Sequence, residues 1–493
     1  PAPYGWSYNT SRFIPKNSGK IDSKNVKNLK LKWAFGFPYS QRARSQPLFA
    51  MGSIFVGSQS GDIYALDVET GCVKWNFSAS AEVRTGIIMD EWKNGTKPKK
   101  RPYIYFGDIL ANEYALDAQT GELIWKIKTD DHPNATRTAT SAKFEDILFV
   151  PVSGLEVIPA FNNDYECCTF RGGLLAVEAD TGEILWKKYS IPVPAKYSGT
   201  TSVGTRMFGP SGAPIWTSPN IDKKRRYVYI GTGENYSTPA DDSSDAIIAY
   251  NIDTGEEVWR RQTLAGDAWN LACMGKGLPN CPEENGPDMD YSASSILIDL
   301  GDRDILVAGQ KSGSVYGINP DNGEIIWSKV VSGGGTQGGI HFGMASEGDV
   351  LYVPLNDMKD TLDGKVWLNR KPGMHSLDTE TGNILWSKIT DTECKEIDIN
   401  CDPGISAAVT AIPGAVIAGH LDGMIRVYDK DNGDILWSFN SLGDYESISG
   451  TPASGGSFSG SGPSIRNGYM AINSGYGIYN HMPGNALLLF TID

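Results

Sequence analysis

Residues 65–75 read Ala-Leu-Asp-Val-Glu-Thr-Gly-Cys-Val-Lys-Trp, and residues 115–125 read Ala-Leu-Asp-Ala-Gln-Thr-Gly-Glu-Leu-Ile-Trp. Each stretch is the end of one apolar strand, a tight turn, and a second strand closing on tryptophan. An Asp or Asn side chain caps such a turn by accepting backbone N–H groups, and the glycine takes the positive φ the turn requires. The pattern returns at Thr181-Gly182…Trp186, Thr254-Gly255…Trp259, Asn322-Gly323…Trp327, Thr381-Gly382…Trp386 and Asn432-Gly433…Trp437. Seven copies cannot be coincidence. The tryptophan then packs its indole on the neighbouring copy.

Working outward, short runs rich in β-branched and aromatic residues precede most copies: Ser53–Gly57, Tyr103–Gly107, Ile147–Pro151, Tyr227–Gly231 and Val350–Pro354. Such runs are strands, which gives four antiparallel strands per copy. The tryptophans are spaced from 42 residues (Trp33 to Trp75) to 73 (Trp186 to Trp259). Four strands at that period make a β-propeller blade, with the surplus of the longer copies in loops. Leu29–Phe35, with Trp33, resembles a last strand lacking its predecessors; Ala486–Phe490 resembles a third strand lacking its successor. Joining them closes the ring and leaves no edge exposed. The expected fold is therefore all-β: an eight-bladed propeller of four-stranded antiparallel blades, closed by N- and C-terminal strands, with residues 1–493 as a single domain.

Composition narrows the function. Hydrophobic residues make up 40% and charged residues 21%, which excludes a disordered chain. No apolar run is long enough for a transmembrane helix. The chain begins at Pro1 without a charged-then-apolar leader, and reads as a chain whose signal peptide has been removed. Its 44 basic and 58 acidic side chains give a net charge of −14, which repels nucleic acid. The basic cluster Lys97, Lys99, Lys100 and Arg101 follows Asn94-Gly95 and reads as a solvated loop tip. Seven cysteines fall as adjacent Cys167-Cys168, Cys273 with Cys281, Cys394 with Cys401, and Cys72 alone. That arrangement suits disulfides in an oxidising compartment, periplasmic or secreted. Sequons at Asn9, Asn76, Asn94, Asn134 and Asn235 are compatible with secretion, and no Cys-x-x-Cys-His motif holds a haem.

The repeated signature, together with Cys167-Cys168-Thr169-Phe170-Arg171-Gly172, Gly209-Pro210-Ser211-Gly212-Ala213, Gly266-Asp267-Ala268-Trp269-Asn270 and Ala308-Gly309-Gln310-Lys311-Ser312-Gly313, resembles the pyrroloquinoline quinone (PQQ)-dependent alcohol dehydrogenases, especially polyvinyl alcohol dehydrogenase-like proteins. The resemblance implies PQQ and Ca²⁺ in the central channel. It makes Glu156, in Ser153-Gly154-Leu155-Glu156, a Ca²⁺ ligand, with Glu234 or Asn235 as a second. It gives Thr138 and Thr140, with Ser153, to the PQQ oxygens, Trp216 to its ring, and Cys167–Cys168 to its opposite face. Arg84 and Arg171 are candidates for the PQQ carboxylates, and Lys311 for the reactive quinone oxygens. These types suit a flat trianion, which needs cations at its edge and a π face beneath.

Two departures stand out. Asn270 occupies the cofactor-side position where related enzymes carry the general-base Asp, leaving Asp267 as the replacement base, with Asp288 and Asp290 as outsiders. An amide cannot accept a proton at useful pH. The cysteine pair also sits after the second signature instead of the first. The implied activity is oxidation of an alcohol, secondary or polymeric, with electrons leaving to an external acceptor such as a cytochrome c. The rival is a non-catalytic propeller binding a ligand or partner protein, a reading that Asn270 favours.

Overall fold

The computed structural model describes residues 10–90, 101–274, 277–358, 368–390 and 401–492. The sequons at Asn9 and Asn94, the lysines 97, 99 and 100, and Cys394 lie outside the described residues.

Among the described residues, eight antiparallel sheets form the blades, seven of four strands and one of five. Blade 1 comprises Leu48–Ala50, Ser53–Gly57, Asp62–Asp67 and Val73–Ser78; blade 2, Ile88–Met89, Tyr103–Gly107, Asn112–Asp117 and Leu123–Lys128. Blade 3 is the five-stranded one: Ala142–Phe144, Ile147–Gly154, Gly173–Glu178 and Ile184–Tyr189, with Ala135–Thr136 added at the end of its second strand. Blade 4 runs from Asn220–Asp222 to Glu257–Gln262, blade 5 from Ile296–Asp299 to Ile325–Val330. Blade 6 runs from Ala345–Glu347 to Ile384–Ile389, and blade 7 from Thr410–Ile412 to Ile435–Asn440. Blade 8 takes Ser464–Arg466, Tyr469–Ser474 and Ala486–Thr491 from the C-terminal end, and its outer strand, Lys30–Gly36, from the N-terminal end. The expected eight blades and the joint closure are both present.

The signature has a double role. In blade 1, Asp67 Oδ1 accepts the backbone N–H groups of Glu69 and Thr70, which fixes the turn. Gly121, at φ +76°, follows the same turn in blade 2, and a Cβ there would stand 2.6 Å from the Trp75 ring of blade 1. Trp75 Nε1 in turn donates to Ala118 O, 3.2 Å away. The same indole-to-turn bond is made by Trp33 to Val68 O, Trp125 to Ala179 O, Trp186 to Ile252 O, Trp259 to Pro320 O and Trp386 to Lys430 O. Glycine is thus demanded twice, by the turn's backbone and by the indole of the preceding blade. Between blades 8 and 1, Trp33, Phe35, Leu487 and Leu489 pack with Phe49, Ile54, Val56 and Leu66 in one apolar cluster. Burial of these side chains, about 1.5–3 kcal/mol each, seals the ring.

Loops between the blades build what lies at its centre. A hairpin, Lys196–Thr200 with Arg206–Gly209, projects between blades 3 and 4, and its Phe208 exchanges backbone bonds with Cys167 and Cys168.

Candidate active site

A cleft, partly open to solvent, is lined by side chains from widely separated loops. Trp216 forms one wall. Its ring meets the edges of His341 and Phe342, each at 5.9 Å between centroids. Thr138 and Thr140, in the loop after the added strand of blade 3, line the cleft with Arg84, Arg44, Ser292 and Ser294. Arg44 is held by Glu82 through Nε (3.0 Å) and Nη2. Arg84 differs. Its guanidinium makes no hydrogen bond or ion pair to a described residue and lies 5.9 Å from the Phe342 ring centroid. Burial, and then the like charge of Arg44, lower its pKa. The Thr140 hydroxyl accepts Gly86 N–H, whereas the buried Thr138 hydroxyl has no partner among the described residues.

Beside Trp216 lies a buried charged cluster. Lys311 Nζ stands 6.0 Å from the Trp216 ring centroid, 2.7 Å from Asp288 Oδ1 and 3.2 Å from Asp290 Oδ2. Carboxylate oxygens of Glu234, Asp288 and Asp290 lie within 4.8 Å of one another. Burial pulls the Lys311 ammonium down, but Asp288 and Asp290 outweigh it and hold its pKa above the ordinary lysine value. Glu234 is the surplus acid. Burial, then the charges of Asp290 and Asp288, hold its carboxyl well above the usual carboxylate range. Three acids share one ammonium, and the crowding of their carboxyl groups is what a hard divalent cation with oxygen ligands would relieve, displacing the proton from Glu234.

The residues named from the sequence divide here. Trp216, Arg84, Thr138, Thr140, Lys311 and Glu234 converge on the cleft and its cluster. Glu156 does not join the carboxylates: it is fully buried, and accepts the N–H groups of Thr169 and Phe170 and the hydroxyl of Tyr165. Asn235 is likewise occupied, donating to Ser211 O and Asp241 and accepting Asp241 N–H. Asn270 donates to Tyr236 O and Asn280 O and accepts Ala272 N–H. Arg171 lies 3.9 Å over the Tyr189 ring and bonds Ile191 O and Pro192 O, so it belongs to a blade surface and not to the cleft lining. Ser153 is buried opposite Thr136 in the ladder of blade 3. Asp267 accepts the N–H groups of Asp288 (3.0 Å) and Met289 (2.7 Å).

Cys167 and Cys168 are disulfide-bonded and pack with Phe170 and Tyr236, apart from the residues lining the cleft. Cys273 and Cys281 form a second disulfide, and Cys72 is free and exposed. Cys401 is disulfide-bonded, while its expected partner, Cys394, lies outside the described residues.

Sequence reasoning missed Arg44 and treated Asp288 and Asp290 as outsiders. The available signal was the pair of acids two apart in Gly286-Pro287-Asp288-Met289-Asp290, inside an otherwise small or apolar run leading into blade 5.

The fold and site together are those of a β-propeller whose central loops gather an indole, a guanidinium and a hydroxyl without partners among the described residues, and a buried carboxylate cluster. The family model described as the glucose/ethanol/alcohol dehydrogenase β-propeller domain matches residues 2–278, and the model of the outer membrane protein assembly factor BamB matches residues 311–457. The chain is 37% identical to a polyvinylalcohol dehydrogenase from Pseudomonas sp and 34% identical to one from Sphingopyxis sp. (strain 113P3), covering 99% of this chain and 76% of each relative. It therefore belongs to the PQQ-dependent alcohol dehydrogenase family. Among solved structures, the quinohemoprotein alcohol dehydrogenase from Comamonas testosteroni superposes with a TM-score of 0.69 at 19% identity, over 99% of this chain and 80% of that one.

Proposed function

We propose that this chain, acting as one domain over residues 1–493, oxidises an alcohol to a carbonyl with PQQ and Ca²⁺. Electrons would pass to an external acceptor such as a soluble cytochrome c. One observation carries the reading: a cleft with an indole wall, an unpaired guanidinium and an unpaired buried hydroxyl opens beside a lysine surrounded by three carboxylates. Those unsatisfied groups fit a flat, anionic, oxygen-rich cofactor. Buried polar groups without partners are costly, and a ligand that satisfies them is the simplest account of their persistence.

In this reading Arg84 and Arg44 would hold the PQQ carboxylates, Thr138 would donate to a further oxygen, and Trp216 would offer its face to the ring. Glu234, Asp288 and Asp290 would hold the cation. When bound, PQQ supplies a two-electron acceptor for the carbinol hydride, and Ca²⁺ supplies Lewis acidity. Lys311 keeps its proton on Nζ through the neutral range and offers it, as a hydrogen bond, to an oxygen seated beside Trp216. The base for the substrate hydroxyl proton comes from the same cluster, because Asn270 carries no charge and Asp267 already accepts two amides. Two relatives named for polyvinyl alcohol make a secondary or polymeric alcohol the proposed substrate class. The disulfides support a periplasmic or secreted location.

The test is reconstitution with PQQ and Ca²⁺, followed by dye reduction with short secondary alcohols and with polyvinyl alcohol. Reduction supports the enzyme. Tight PQQ binding without reduction supports the non-catalytic alternative, which the match of residues 311–457 to an assembly-factor model keeps in view. Absence of PQQ binding refutes the cofactor site. Trp216→Ala should weaken PQQ binding by about tenfold, roughly 1.4 kcal/mol.

A further inference from the structure

Resting on the cation site just proposed, we infer that Asp267 is the positioning residue that sets its geometry. Asp267 bonds to both of the chain segments that carry the proposed ligands. Its side chain accepts the N–H groups of Asp288 and Met289, at 3.0 and 2.7 Å, and so fixes the loop bearing Asp288 and Asp290. Its backbone holds the other segment: Asp267 O accepts Asn235 N–H at 2.9 Å, next to Glu234, and Trp269 N–H returns a bond of 2.8 Å to Asn235 O.

Two glycines show how closely these segments approach. A Cβ at Gly286 would collide with Asp267 Oδ1. A Cβ at Gly233 would stand 2.7 Å from Asp290 Oδ1, the atom that also accepts Glu234 N–H at 2.8 Å. Glu234, Asp288 and Asp290 come from segments more than fifty residues apart, and the fully buried Asp267 adds bonds to both segments beside the direct one from Glu234 to Asp290.

The Gly266-Asp267-Ala268-Trp269-Asn270 segment thus serves as scaffold. Asp267 orients the loop, and Asn270 bonds backbone on both sides. Two of the three proposed ligands, Asp288 and Asp290, come from the loop that Asp267 holds. Groups that orient metal ligands typically alter metal affinity by about 10–100-fold when replaced.

Terbium(III) bound to the purified full-length chain, without added PQQ, tests the assignment. Its luminescence is sensitised through tryptophan, and its lifetimes in H₂O and D₂O count the waters on the ion. In Asp267→Asn an amide replaces one of the two acceptors. We expect affinity to fall about tenfold or more, and about one extra water to bind as a carboxylate of the loop is lost. Gly286→Ala, whose Cβ would collide with Asp267 Oδ1, should give the same pair of changes. Glu156→Gln should stay within about twofold of the unsubstituted chain. Thermal melting of each variant separates loss of geometry from loss of fold. Unchanged affinity and water count in folded Asp267→Asn would overturn the positioning role, as would failure of both Asp267→Asn and Gly286→Ala to fold, which would make the residue a general fold determinant. If the unsubstituted chain shows no saturable terbium binding, the cation site itself is refuted, an outcome distinct from either.

Discussion

Replacing Lys311 by methionine isolates the electrostatics of the cluster. Lys311, Asp288 and Asp290 have side-chain exposures of only 5%, 8% and 6%, and the ammonium sits 2.7 and 3.2 Å from the two carboxylates. Methionine keeps most of the volume and removes the charge. Three carboxylates then remain within 4.8 Å of one another with no cation. Removing one partner of a buried ion pair costs about 3–5 kcal/mol. The loss should be recoverable from outside. A cation supplied at a hundredfold excess over its dissociation constant returns about 2.7 kcal/mol, and the variant binds it without competition from the ammonium. Urea unfolding at pH 7.5, followed by tryptophan fluorescence in EDTA and again in Ca²⁺, measures both effects. We expect Lys311→Met to be destabilised in EDTA and to gain more from Ca²⁺ than the unsubstituted chain does. An unchanged midpoint in EDTA, with no response to Ca²⁺, would refute the picture of a carboxylate cluster balanced by one lysine.

Three other outcomes are expected. A methyl added at Gly348, at φ +62°, would meet nothing within 4 Å, whereas a Cβ on Gly121, at φ +76°, meets Trp75 at 2.6 Å; Gly348→Ala should cost about 1 kcal/mol for backbone strain alone and Gly121→Ala about 1–3 kcal/mol more, and equal losses in urea midpoints would remove the indole from the account. Burial holds the His481 imidazole down to about 4; since the unfolded chain takes up that proton near pH 6.5, the fold is stable above 6.5 and loses stability as pH falls from about 6.5 to about 4, a slope that His481→Gln should reduce in pH-dependent melting. Arg84→Ala should weaken PQQ binding about tenfold or more, while Arg171, bonded to the Ile191 and Pro192 carbonyls, should tolerate replacement by alanine with affinity held within about twofold by titration; a reversal of that order would relocate the cofactor.

The blades were legible because each one repeats the same physical requirement. A turn that needs positive φ, and an indole that needs a gap in which to lie, write Thr-Gly…Trp into most copies, and even the divided eighth blade kept Trp33. The resemblance named Trp216, Arg84, Thr138, Thr140 and Lys311 as candidates, and the fold brings them to or beside one cleft. Glu156 was less legible. Its motif position says nothing of the backbone amides of Thr169 and Phe170, which reach it from the chain around Cys167-Cys168. Arg44, Asp288 and Asp290 lie in loops without a repeat, and only the folded chain sets Arg44 in the cleft lining and the two acids beside Lys311.

The outer strand of blade 8, Lys30–Gly36, is synthesised before the other seven blades, yet it pairs with Ala486–Thr491, which is synthesised after them. Through all of that interval it has no ladder partner, and its apolar face waits for Leu487 and Leu489. Every other blade draws its strands from one continuous stretch and can form as that stretch emerges. Ring closure is therefore the step with the longest loop to close, and it makes the fate of the whole molecule depend on a single late strand. A ribosome that stops short of Ala486 leaves seven complete blades and an open seam.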